Sequence, residues 1–263
     1  DGPTCRGCGK GGPGDAQAMT SGMTGQGTAS RPCGIVLAAG FSSRAGAFKM
    51  GLDLAGRPVL HRVLATMLPF VDEIVVVGGH AIETTAGLVA EFNRQRSACA
   101  GAVSGENPAI RVVANPGYAS GMFSSVRAGA RAMPAGAAAF LIPGDCPLVR
   151  PAVYAALLGA SAAVAIPVAA GKKGHPVLLG AAVVAALAGA DAAAASGNLK
   201  DFLAGFATEL VPVEDSAIWR DLDTPEDYAA LQELATASDG VSRHDGAELM
   251  EKERHDADQT TDQ

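Results

Sequence analysis

Aromatic side chains, positive charge, paired cysteines and long apolar runs are all scarce in this chain, and each shortage closes off a class of function. Phe, Tyr and Trp make up 5% of the 263 residues. That is too few rings for a surface built to stack successive nucleobases. Lys and Arg number 20 against 27 Asp and Glu, a formal net charge of −7. A basic stripe tracking a phosphate backbone is therefore not expected, and long nucleic acids are not expected partners. A single nucleotide stays within reach, because a few backbone N–H groups, one lysine and a metal suffice to hold it. The five cysteines, Cys5, Cys8, Cys33, Cys99 and Cys146, are odd in number and irregularly spaced, which argues against a disulfide framework. The nearest approach to a membrane span, Val177 to Ala195, is interrupted by Gly180, Gly189 and Asp191, so no span and no membrane partner are expected. No apolar signal core stands near the first residues, and a cytoplasmic protein is the expectation. No internal repeat is visible.

What remains is 48% hydrophobic and 18% charged, with heavy use of Ala and Gly. A chain of this length can bury a sizeable core without disulfides. Residues 1–32 are rich in Gly, Ser, Thr and Pro and lack apolar periodicity, which predicts a flexible tail. Cys5 and Cys8 form a lone CxxC there, and a metal site needs further ligands. Residues 238–263 are polar and mostly acidic, with His244 and His255 among carboxylates, and predict a second tail. The domain is expected over residues 33–237.

Within it the pattern alternates. Apolar, β-branched runs predict strands at Cys33–Ala38, Ile74–Val77, Ile110–Ala114, Ala137–Ile142, Val164–Val168, Pro176–Leu179 and Glu209–Val213. Helices are predicted at Pro58–Leu68, Ala81–Arg96, Ser124–Met133, Pro151–Leu158, an alanine-rich stretch after Leu179, Leu199–Leu203 and Thr224–Ala235. Such alternation with continuously apolar strands predicts an α/β fold, a mostly parallel central sheet with helices on both faces. Ligands of such sheets bind beyond the carboxyl ends of the strands.

The informative residues follow strands. Leu37-Ala38-Ala39-Gly40-Phe41-Ser42-Ser43-Arg44 runs through Ala45-Gly46-Ala47-Phe48 to Lys49, a loop with two glycines, hydroxyls, an arginine and a lysine. Glycines let N–H groups approach phosphate oxygens, and Arg and Lys add a fork and a point charge. The loop is neither G-x-G-x-x-G nor G-x-x-x-x-G-K-[ST], which counts against a Rossmann-type oxidoreductase. Asn115-Pro116-Gly117-Tyr118-Ala119-Ser120-Gly121-Met122-Phe123-Ser124-Ser125 lies between a strand and a helix, where Ser124 or Ser125 could cap the helix or contact a nucleotide. Asp145, in Pro143-Gly144-Asp145-Cys146-Pro147-Leu148, is costly to bury without a cation, donors or water; a turn or cap role is the plainer alternative. In Asp221-Leu222-Asp223-Thr224-Pro225-Glu226-Asp227, Thr224 and Asp227 fit a capping arrangement. Asp221 and Asp223 are left over, on one face of an extended segment. His175 sits in Gly171-Lys172-Lys173-Gly174-His175-Pro176-Val177 at a strand start.

Taken together and in this order, these segments resemble the signatures of the molybdenum cofactor cytidylyltransferase family: LAAG-x-S-x-R-M-G-x-x-K, with Ala45 in place of the usual Met; N-P-x-x-x-x-G-M-x-x-S; G-D-x-P-L; G-H-P-V; and D-[IL]-D-T-P-E-D. The resemblance covers roughly residues 33–236. It implies the nucleotide-diphospho-sugar transferase fold, glycosyltransferase-A-like and Rossmann-related. It implies a nucleotidyltransferase moving CMP from CTP to Mo-molybdopterin, giving molybdopterin cytosine dinucleotide and pyrophosphate. Leu37, Ala38, Ala39, Gly40, Ser42, Arg44, Lys49, Asn115, Gly121, Ser124 and Ser125 are then nucleotide-binding. Lys49, Arg44 and Asp145 are catalytic, Asp145 and Asp223 hold Mg²⁺ with Asp221 as substitute, and His175 contacts the acceptor. LAAG goes with cytidylyl transfer in the family, where LAGG goes with guanylyl transfer, so Ala39 bears on base choice. An apo-molybdoenzyme is a possible recipient of the product. The competing expectations are the same chemistry on a sugar- or alditol-phosphate, and a carrier that holds the dinucleotide without chemistry.

Overall fold

The computed structural model describes residues 31–40, 48–99, 108–190 and 198–237. The two expected tails, with Cys5, Cys8, His244 and His255, lie outside the described residues.

An eight-stranded sheet forms the centre. Strands β1 (Cys33–Ala38), β4 (Glu73–Gly78), β5 (Ala109–Ala114) and β6 (Ala139–Pro143) pair in parallel in the order β6-β1-β4-β5. Beyond β6 come β9 (Val177–Leu179), β7 (Val164–Ala169) and β10 (Thr208–Pro212), while β8 (Lys172–Lys173) pairs β7 alone. β9 runs antiparallel to both β6 and β7. The sheet is mostly parallel, as expected, and mixed: antiparallel β9 joins its two parallel parts.

The central strands are apolar at every position because both faces are covered. Along β1, Val36 and Ala38 face one core, and Cys33 and Ile35 the other. β4 and β6 divide likewise, Ile74, Val76, Phe140 and Ile142 against Val75, Val77, Ala139 and Leu141. The first core is closed by α1 (Val59–Met67), α2 (Ile82–Cys99) and α4 (Pro151–Leu158). The second is closed by α3 (Met122–Arg131), α5 (Ala181–Gly189) and α6 (Leu199–Leu203).

Several boundaries differ from the expectations. Pro58 is the residue before α1, not its first turn, because it pairs with Asp53 in a hairpin of β2 (Asp53–Leu54) and β3 (Arg57–Pro58). That hairpin and β8 are elements the sequence reading lacked. Both turn through Ala-Gly pairs with positive φ, Ala55 (50°) and Gly56 (80°), Ala170 (48°) and Gly171 (75°). Two-residue hairpins need this mirror-image turn. A last helix, α7, covers residues 225–237. Its Tyr228, Leu231 and Ala235, spaced on one helical face, pack with Leu54, Val59 and Leu222 in a third, smaller core. Among the described residues no helix is long and apolar enough to cross a membrane.

Candidate active site

The chain leaves β1 for β4 on one side and returns from β5 to β6 on the other. This reversal opens a crevice at the carboxyl ends of β1 and β6, the place where open α/β sheets bind ligands. Leu37 and Ala38 end β1, Ala39 is buried just beyond, and Gly40 is exposed. Ser42 and Arg44 fall at residues 41–47, outside the described residues. Across the crevice the Gly144 N–H donates to the Leu37 carbonyl at 2.8 Å. A Cβ at Gly144 would stand 2.6 Å from Met50 Sδ and 3.1 Å from that carbonyl oxygen. Glycine here lets the loop after β6 lie against the end of β1, and Asp145 follows it.

Lys49, only 7% exposed, enters from the 3-10 turn Lys49–Gly51. Its Nζ lies 2.5 Å from Asp223 Oδ1 and 3.9 Å from Asp145 Oδ2. The partners meet because the Leu222 N–H donates to the Asp145 carbonyl at 3.0 Å. Leu222 is fully buried in the small core, which turns its neighbours Asp221 and Asp223 toward the crevice. Asp223 precedes α7, whose start is fixed as the sequence suggests. Asp227 Oδ2 accepts from the Thr224 N–H and hydroxyl, both at 2.8 Å, and the Asp227 N–H donates to Thr224 Oγ1 at 3.1 Å. Bonds from Thr224 hold the Asp227 carboxyl below the usual range.

The electrostatics are one-sided. Burial pushes the Asp145 carboxyl up to about 6; Lys49 opposes the rise, and Asp221 and Asp223 add to it. Among the described residues, Lys49 is the one ammonium acting on Asp145, and Asp221 and Asp223 add negative charge beside it. Among the described residues no group of three or more His, Cys, Asp or Glu side chains is arranged to hold a metal on its own. Two carboxylates completed by substrate oxygens are, however, the donor set Mg²⁺ commonly uses, and Asp145 with Asp223 fits it.

On the far side of β1, Asn115 organises the loop after β5. Its N–H donates to the Gly78 carbonyl at 2.8 Å, and its Oδ1 accepts from the Gly117 N–H at 3.0 Å. Its Nδ2 donates to Ser124 Oγ at 2.9 Å and Ser125 Oγ at 3.0 Å. Neither serine caps α3. The helix starts at Met122, its cap position is Gly121 with no side-chain bond, and the Ser124 hydroxyl donates to a loop carbonyl, 2.8 Å from that of Gly121. Gly121 has φ of 99°, a conformation other residues rarely adopt. Sequence reasoning gave no site role to Gly79 or Tyr118. A Cβ at Gly79 would fall 2.6 Å from the Ala39 carbonyl oxygen, 2.8 Å from Ala39 Cβ and 2.8 Å from Tyr118 Cβ. The ends of β1 and β4 and the loop after β5 therefore converge on Ala39. The Gly78-Gly79 pair closing β4 was the available signal.

His175 lies on the other side of β6. Its N–H donates to the Ile218 carbonyl at 2.6 Å. Its Nδ1 is buried without a partner among the described residues. Burial lowers its pKa, against the pull of Asp221, which favours the neutral imidazole. The structure thus gathers Lys49, Asp145 and Asp223, sets Leu37–Gly40, Asn115, Gly121, Ser124 and Ser125 on one side, and sets His175 on the other.

The chain as a whole resembles known proteins. The chain is 28% identical over 203 residues to the molybdenum cofactor cytidylyltransferase of Escherichia coli K12, covering 77% of this chain and 96% of that one. The crystal structure of the Mycobacterium sp. strain JC1 homologue of Mycobacterium tuberculosis Rv0371c superposes with a TM-score of 0.58 at 26% identity, covering 78% and 96% of the two chains. Mycobacterium tuberculosis Rv0371c itself, solved in complex with manganese, gives a TM-score of 0.52 at 24% identity over 78% and 99%. The sheet and its helices have the nucleotide-diphospho-sugar transferase fold. Residues 34–213 match the MobA-like NTP transferase domain, and the chain belongs to that family of nucleotidyltransferases.

Proposed function

We propose that residues 33–237 form one NTP transferase domain that moves CMP from CTP onto the terminal phosphate of Mo-molybdopterin, giving molybdopterin cytosine dinucleotide and pyrophosphate. The observation that carries this is Lys49 held between Asp145 and Asp223 at the β1/β6 crevice, together with the likeness to the Escherichia coli cytidylyltransferase.

An acceptor phosphate oxygen forms a bond to the α-phosphorus of CTP. The bond from that phosphorus to the β-phosphate oxygen breaks, and its electron pair leaves with pyrophosphate. The attacking phosphate is already ionised, so no strong base is required. The obstacle is repulsion between two polyanions in a crevice that excludes water. Asp145 and Asp223 would hold Mg²⁺, with Asp221 beside them. The ion supplies charge neutralisation between phosphate oxygens when bound. Lys49 and Arg44 stabilise the triphosphate as charge moves onto pyrophosphate. The remaining task is in-line positioning. The loop from Leu37 to Gly40, with Asn115, Gly121, Ser124 and Ser125, shapes the nucleotide side, Ala39 bears on the base, and His175 faces the acceptor.

The test is pyrophosphate release with Mg²⁺ and Mo-molybdopterin, comparing CTP, GTP and ATP. Release with CTP alone supports the proposal. Release with CTP only when an alditol phosphate replaces molybdopterin would move the acceptor assignment. No release from folded, CTP-binding protein with either acceptor would favour a carrier.

A further inference from the structure

The half of the sheet away from the nucleotide side carries a feature the transfer chemistry leaves unexplained. β7 and β10 deliver their carboxyl ends to the same edge as β6. β8 folds back from β7 through the Ala170-Gly171 turn, and the 3-10 turn Ser216–Trp219 follows β10. Trp219 is half-buried and packs against the first core. Lys172 Nζ lies 4.6 Å from the centre of its indole ring, and Arg220 Cζ 5.1 Å. Among the described residues neither cation pairs with a carboxylate. In a chain with net charge −7, two cations gathered on one ring and left without an acid are a built feature.

An aromatic face holds a cation through its quadrupole and leaves the positive charge and N–H donors in place. A salt bridge would have neutralised them. The turn bearing Trp219 is fixed from below, because buried Asp215 accepts from the Ala217 N–H at 3.0 Å and from the Arg150 N–H at 2.9 Å. The β8 side is fixed by close contact, since a Cβ at Gly174 would lie 2.3 Å from the Ile218 carbonyl oxygen. Arg220 is the residue before Asp221, so the turn that carries the cation pair leads directly into the segment that bears Asp221 and Asp223. It stands across β6 from Ala39, Asn115 and Tyr118.

We propose that Lys172 and Arg220, ordered by Trp219, bind the terminal phosphate monoester of the acceptor. Assigning that phosphate to the acceptor rests on the transfer reaction proposed above. In strand order the site belongs to the β7/β10 half of the sheet, on the other side of β6 from the nucleotide loops, and an attacking phosphate has to approach from the side away from the nucleotide. Lys173 points to the other face of β8 and takes no part.

Trp219 is the only tryptophan in the sequence, so its fluorescence reports on this site alone. The full chain is titrated with inorganic phosphate at constant ionic strength, with chloride as control. A saturable change with phosphate and none with chloride is expected. The dissociation constant should rise by about tenfold or more in Lys172→Ala/Arg220→Ala, a loss of ~1.4 kcal/mol, and stay near the wild-type value in Lys173→Ala. No saturable change, an unaltered double variant, or equal weakening in Lys173→Ala would overturn the assignment. In turnover, the double variant should raise KM for the acceptor and leave KM for CTP unchanged; a rise in KM for CTP instead would give the site to the nucleotide. If Mo-molybdopterin proves not to be a substrate while the phosphate titration behaves as expected, the acceptor's identity falls and the phosphate site stands.

Discussion

Asp145→Asn should stabilise the metal-free protein while abolishing most of its turnover. The carboxyl stands at about 6 in the folded chain against an ordinary 3.8. Below about pH 4 it is protonated both folded and unfolded, and has no effect on stability. Between 4 and 6 the unfolded chain releases the proton and the folded chain keeps it, so stability falls as pH rises. Above 6 both forms are ionised and the penalty is complete. Two units at ~1.4 kcal/mol each amount to ~3 kcal/mol at pH 7. The side chain is 22% exposed, so screening removes only part of this. Asparagine keeps the shape and removes the charge. Urea unfolding in the presence of a chelator should therefore show Asp145→Asn more stable than wild type by ~2–3 kcal/mol at pH 7, with the gain about halved at pH 5. A variant less stable than wild type at pH 7, or a gain independent of pH, would refute the picture of an under-compensated carboxylate. The trade of stability for activity is a familiar property of functional sites.

Lys49→Ala should lower kcat/KM for the nucleotide by ~10²–10³; unchanged rates at subsaturating CTP would count against the phosphate role. Asp223→Asn should cost far more turnover than Asp221→Asn, because Asp223 and not Asp221 is bonded to Lys49; equal losses measured by pyrophosphate release would reassign the second carboxylate. Asn115→Ala leaves the buried Ser125 hydroxyl and the Gly117 N–H without their partner, and urea titration should register a loss of ~1–3 kcal/mol. Gln232 donates to the Asp53 carbonyl at 2.8 Å and accepts from the Ala55 N–H at 2.9 Å, tying α7 to the hairpin that follows Lys49. Gln232→Ala should lose ~1–2 kcal/mol of stability and also lower kcat/KM for CTP at temperatures where the variant is fully folded; a loss of stability alone would make the tie merely structural.

The parallel half of the sheet was legible in the sequence for a simple reason. A strand buried on both faces is apolar at every position, and Cys33–Ala38 and Glu73–Gly78 are almost so. The direction of β9 was not legible, because three apolar residues, Val177–Leu179, look the same whichever way they run. The hairpins at 53–58 and 169–172 were hidden by their turns. Ala55 and Ala170 occupy positive-φ positions where Asn, Asp or Gly is the usual signal, and the surrounding contacts must offset a cost of ~1–2 kcal/mol at each.

The site divides along the same line. Loops that follow strands were found because their side chains are chemically out of place in a core. Partnerships across the chain were not. Lys49 and Asp223 are 174 positions apart; the family resemblance put both in one site, but nothing in either segment shows that they form an ion pair. The Thr224–Asp227 cap was legible because its partners lie within one helical turn. For the serines the sequence left capping open beside nucleotide contact, and the structure removes the capping alternative: Asn115, nine and ten residues earlier, takes both hydroxyls as acceptors, and a cap needs those oxygens to face the helix's own N–H groups. Trp219 shows the limit most clearly. Its ring is meaningful only beside Lys172, which the fold brings to it across β7 and β10. The match to the family also stops at residue 213, before Trp219, Asp221, Asp223 and α7. Asp221 and Asp223 were reached by the D-L-D-T-P-E-D motif alone, beyond the end of the domain match, whereas Trp219 and Arg220 carry no motif, and packing against Leu54, Val59 and Ile218 puts the segment in place.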